Sequence, residues 1–171
     1  MKTKKIVLSA LFAALTLCAT FVVKIPSPTQ GYVHLGDSFV LTSGWLLGPL
    51  YGSLAAGLGS MLSDLLGGYA AYMLPTFLIK ALMALVAYFV YHAMSRKLAL
   101  TGRILGGVLA ELLMVGGYYL VEATVFGFGF VGALAGVPGN VVQGVFGVIS
   151  AVLITELLTK TNLAGRFFQE K

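Results

Sequence analysis

Long apolar runs alternate along the whole chain with short polar or Gly/Pro breaks, and the breaks set the elements. A helix crossing a hydrocarbon core of ~30 Å needs about 20 apolar residues. On that measure the first run predicts a helix from about Ile6 to Val23, stopped by the two prolines of "KIPSPTQG". Leu35 to Leu66 is too long for one span and is interrupted by "GPLYG" at Gly48 to Gly52, which predicts two short helices joined by a tight turn. A fourth helix starts at Pro75, a favoured first-turn residue, and ends before "SRK" at Ser95 to Lys97. A fifth follows Arg103 and fades near Glu122. The glycine-rich stretch "GFGFVGALAGVPG" then leads to a sixth, from about Pro138 to Thr159, before a polar tail. The pattern predicts an all-α, six-helix membrane bundle forming a single domain over residues 1–171.

Composition agrees with a polytopic membrane protein. The chain is 58% hydrophobic and 10% charged, with a mean hydropathy of +0.95, too apolar for a water-soluble domain of this size. The net charge of +5 does not point to nucleic acid, because the basic residues sit at the ends of apolar runs instead of forming a patch interleaved with aromatics. With six spans, Lys2, Lys4, Lys5, Arg96, Lys97, Arg103, Lys160, Arg166 and Lys171 all fall on one face, leaving Lys24 and Lys80 elsewhere. The positive-inside rule then places both termini in the cytoplasm. Reading "MKTKKIVLSALFAALTLCAT" as a removable signal peptide would leave five spans and discard three of these lysines, so a retained helix is expected. The single cysteine, Cys18, offers neither a disulfide framework nor a metal cluster, and no cofactor is expected.

Ionisable residues inside a membrane are expensive and point to function. Here they are Asp37, Asp64, Lys80, Glu111 and Glu122, with His34, Asn140 and Gln143 as polar company. In the six-span topology all but Glu111 lie in the outer half of the bundle, as a pocket open to the outside requires. At ~100° per residue, Glu111, Tyr118 and Glu122 share one face of the fifth helix, and Asn140, Gln143, Gly144 and Gly147 share one face of the sixth. The candidate substrate-binding residues are therefore His34, Asp37, Lys80, Tyr118, Glu122, Asn140 and Gln143. Bland readings stand beside these. Asp37 and Asn140 can cap helices, His34 and Glu122 can lie at headgroup level, and Asp64 and Lys80 can neutralise one another. Tyr69 and Tyr72 suit either an outer aromatic belt or stacking on a ligand. His92, Glu156 and Trp45 read as interfacial or packing residues. Catalysis fits poorly: Ser60 has no base at a useful spacing, and no zinc-protease, phosphate-loop or dinucleotide motif occurs.

"HLGD" at His34 to Asp37, "GPLYG", "GSMLSDLLGGY" at Gly59 to Tyr69, "PTFLIKALMA" at Pro75 to Ala84 and "PGNVVQG" at Pro138 to Gly144 together resemble the substrate-binding S components of energy-coupling factor (ECF) vitamin transporters. The likeness covers nearly the whole chain and is strongest to the pyridoxine, hydroxymethylpyrimidine and riboflavin branch. It implies a non-enzymatic importer subunit of the bacterial plasma membrane, with the loop after the first helix acting as a lid over the vitamin. It also implies a transmembrane coupling subunit carrying two cytoplasmic ATPases, against which the S component topples. Ala10 and Ala14 match the family's "AxxxA" docking pattern on the first helix. A B6 vitamer or hydroxymethylpyrimidine suits the donors, acceptors and tyrosines best. Riboflavin or another vitamin is the alternative, and a purely structural membrane protein is the alternative outside transport.

Overall fold

A computed structural model describes residues 2–22, 24–26, 32–94, 98–161 and 163. The chain forms α1 (Lys2–Val22), a strap carrying β1 (Ile25–Pro26) and β2 (Tyr32–Val33), then α2 (Asp37–Gly67) and α3 (Met73–Met94). α4 (Ala99–Thr124), the short α5 (Gly129–Ala133) and α6 (Val137–Lys160) complete it. Among the described residues five helical runs are long and apolar enough to cross a membrane. The protein is therefore an all-α polytopic membrane protein. Leucine, valine and phenylalanine side chains cover its outer surface, as a lipid-facing bundle needs. The "SRK" break and the basic tail beyond Leu163 fall outside the described residues.

The two short helices expected across "GPLYG" form one 31-residue run that folds back on itself at Gly48. Gly48 has φ 83° and ψ −179°, a conformation open essentially to glycine alone. Pro49 then opens the second leg, where its missing N–H costs nothing. Ser43 Oγ donates to the carbonyl of Gly52 at 3.1 Å, whereas a straight helix would hold those residues about 13.5 Å apart along its axis.

The first leg of α2 lies at the centre. Gly44 lets it approach α3 so closely that a Cβ there would lie 2.5 Å from the Ala84 carbonyl oxygen. Trp45 Nε1 donates to the Ala87 carbonyl at 3.2 Å. Val40, Leu41, Met83, Ala84, Ala110, Met114 and Ala151, from four helices, form a fully buried core around this leg. α1 packs on the second leg, where Gly59 sits against the Ala13 backbone. At the end of the bundle away from the strap, Arg103 pairs with Glu156, and its guanidinium lies 5.0 Å from the Tyr91 ring centroid. The strap closes the opposite end.

Candidate functional site

Three buried polar side chains form a continuous chain beneath the strap. Lys80 Nζ, completely buried on α3, contacts Asp37 Oδ1 at 2.5 Å, and Gln143 Nε2 on α6 donates to Asp37 Oδ2 at 2.6 Å. The other end of the same carboxamide, Gln143 Oε1, accepts the backbone N–H of His34 at 3.0 Å. Both ends of Gln143 are thus engaged, tying the strap to the ion pair in the core. Asp37 does not cap α2: Gly36 occupies the cap position without a side-chain bond, and the Asp37 carboxylate turns inward. Nor does Lys80 neutralise Asp64, since Asp37 takes that charge while Asp64 Oδ1 accepts the Tyr32 hydroxyl at 2.7 Å.

Above this chain lies a cavity at the strap end of the bundle. The strap contributes Tyr32 and His34, the end of α2 and the turn after it give Asp64, Tyr69 and Tyr72, and α3 gives Thr76. Tyr118 and Glu122 enter from α4, Asn140 and Gln143 from α6. Glu122 is buried and accepts from the Tyr72 hydroxyl at 3.2 Å, so it is not an exposed helix-end carboxylate. Asn140 lies within α6, past the cap, and lines the cavity. Of the seven residues singled out from the sequence, five line the cavity; Asp37 and Lys80 lie beneath it and connect to it through Gln143, with Lys80 also 5.5 Å from the Tyr118 ring centroid. The free space is about 30 Å³, room for one or two waters.

Glu111 lies deeper. Its carboxylate fills the space left by Gly144 and Gly147, where a Cβ on Gly147 would stand 2.7 Å from Oε1 and 3.0 Å from the Asp37 Cβ. Neither oxygen has a hydrogen-bond partner among the described residues. It belongs to the charged core beneath the cavity and faces a lipid-side groove between α4 and α6.

His34 Nδ1 accepts the Gly36 N–H at 3.0 Å, which places the ring proton on Nε2 in the neutral form. Burial holds its pKa at about 3, with Lys80 and Lys24 pushing the same way and Asp37 opposing them. Burial likewise raises the neighbouring Tyr32 hydroxyl, reinforced by Asp64. Below the unperturbed value of 6.5 a lifted His34 takes up a proton that the docked one refuses. Docking is complete above that value and weakens as pH falls toward about 3. Thermal unfolding in detergent between about pH 7 and pH 5 is expected to show falling stability for the wild type and a flatter profile for His34→Gln. Equal slopes would remove His34 as the cause.

The model of the ECF-type riboflavin transporter S component family matches residues 1–160. The chain belongs to this family. It is the substrate-binding S component of an ECF transporter, a multi-pass protein of the cell membrane and not an enzyme. An uncharacterized protein of Pyrococcus woesei is 39% identical over 133 residues, covering 76% of this S component and 84% of that protein. The thiamine precursor transporter HmpT of Lactococcus lactis is 28% identical over 166 residues, 96% of this chain and 93% of the relative. A solved S component of a bacterial ECF transporter shares the fold, with a TM-score of 0.71 at 21% identity, covering 94% of this chain and 98% of that one.

Within the S component, Tyr32 and Thr76 are cavity residues that sequence reasoning passed over. Tyr32 had a signal: it stands two residues before His34, a spacing that puts both side chains on one face of an extended backbone, and their ring centroids lie 5.4 Å apart. Thr76 stands one helical turn before Lys80, but a threonine in a helix more often bonds its own backbone.

Proposed function

We propose that this S component captures a small water-soluble vitamin or vitamin precursor from outside, with hydroxymethylpyrimidine or a B6 vitamer favoured. The observation that carries the reading is the cavity beneath the strap, where tyrosine rings, carboxylates and two carboxamides converge at one end of the bundle. HmpT, named as a thiamine precursor transporter, supports a pyrimidine. The family description favours riboflavin instead, and that is the alternative.

Counting the two legs of α2 separately gives six membrane segments with both ends of the chain on one side. Lys2, Lys4, Lys5, Arg103 and Lys160 then lie at the face away from the strap, in accord with cytoplasmic termini. The exposed Ala10 and Ala14 on α1 would receive a transmembrane coupling subunit carrying two ATPases, and toppling against it would turn the cavity inward. Small residues four apart permit such close approach.

Mass spectrometry of the small molecules released on denaturing the detergent-purified protein tests the reading. A stoichiometric pyrimidine or pyridine is expected. A blank, repeated after incubation with a vitamin mixture, would refute solute capture.

A further inference from the structure

The cavity has a one-sided chemistry. Two carboxylates, Asp64 and Glu122, line it, and no lysine or arginine does among the described residues. Lys80 lies below, its charge taken by Asp37. Burial keeps His34 neutral. Four tyrosines supply the walls: Tyr32 packs on Tyr69 with ring centroids 4.7 Å apart, and Tyr72 faces Tyr118 at 6.4 Å. The Tyr32 and Tyr72 hydroxyls donate to Asp64 and Glu122, and the tyrosine ring faces carry the negative potential that attracts a positive group. Lys24 shows that the arrangement attracts a cation: its Nζ lies 4.5 Å from the Tyr32 ring centroid and 5.6 Å from that of Tyr69.

We infer that this acidic tyrosine cage selects its ligand by a cationic ring nitrogen or an amine carried on the ring, with Glu122 accepting the amine hydrogen, and excludes phosphorylated and other anionic forms. The inference rests on the cavity being the vitamin site. It narrows the ligand to heterocycles with an amine or a cationic ring nitrogen, such as an aminopyrimidine or a pyridinium, and disfavours the uncharged flavin ring, which carries no amine. A carboxylate excluded from water reads a donor strongly, because an analogue without the donor leaves a desolvated carboxylate one hydrogen bond short.

Isothermal titration calorimetry on the detergent-purified full chain tests this with four probes: hydroxymethylpyrimidine, its phosphate monoester, the analogue with hydrogen replacing the amine, and riboflavin. The deamino analogue is expected to bind about tenfold to a hundredfold more weakly than the amine, and the phosphate ester about a hundredfold or more weakly. In Glu122→Gln the preference for the amine over the deamino analogue is expected to shrink to within about threefold. The ratio within one protein is insensitive to partial loss of folded material, and the wild-type series stands even if the variant fails to fold. A phosphate ester that binds as well as the free alcohol, or riboflavin binding tightest, would overturn the inference and leave vitamin capture intact. An undiminished amine preference in Glu122→Gln would remove Glu122 as the reader. Binding of no probe, together with a blank in the mass spectrometry, would remove both the inference and the reading beneath it.

Discussion

Lys80→Met is expected to cost about 3–5 kcal/mol of stability, the largest effect of any single substitution proposed for this protein. The reason is what it leaves behind. Lys80 and Asp37 are both completely buried and in contact at 2.5 Å, and the Glu111 carboxylate lies close to Asp37 in the same region. Removing the lysine strands two carboxyl groups in the core without the cation that contacts Asp37. A buried pair need not stabilise the fold relative to apolar residues, but half of one is strongly destabilising. The double variant Asp37→Leu/Lys80→Met should therefore recover much of the loss, giving a large coupling energy. Thermal unfolding in detergent of the two single variants and the double variant measures it. If Lys80→Met unfolds at the wild-type temperature, or the two losses simply add, the ion pair does not hold the centre of the bundle.

The second large effect is functional. Gln143→Leu keeps the side-chain bulk but removes the bond to the His34 N–H and the bond to Asp37. Hydrogen bonds to charged groups contribute about 1.5–3 kcal/mol, and leaving the His34 N–H buried without a partner adds to the loss. Ligand dissociation is expected to accelerate by tenfold or more, roughly what 1.4 kcal/mol corresponds to, because the strap is what must lift for release, and association through the same opening is not expected to slow. Stopped-flow displacement of bound vitamin separates the two rates. An unchanged dissociation rate would mean that the strap is held by its other contacts, chiefly the Tyr32 hydroxyl on Asp64.

Several parts of this protein were legible from the chain alone. Long apolar runs with Pro and Gly breaks determined where the helices lie, because a backbone in lipid must satisfy its hydrogen bonds internally and helices do so locally. The same local rule located the break at Gly48 and Pro49 and showed that polar residues gather toward one end. Helical phase put Tyr118 and Glu122 on one face of α4, and both line the cavity.

Which polar group pairs with which was decided only by the tertiary structure. Lys80 bonds to Asp37, 43 residues away, in preference to Asp64 across a short connection. Gln143 joins Asp37 and His34, 106 and 109 residues away. Side-chain pairing is set by the geometry of helix crossing, and the crossings follow from backbone approaches such as Gly44 on Ala84 that leave no trace in hydropathy. The fold-back at Gly48 is what turns the first leg of α2 through the centre, carrying Asp37 to Lys80 and releasing Asp64 to the strap. Periodicity along a chain determines which face of each helix is polar; only the packed bundle determines what that face meets.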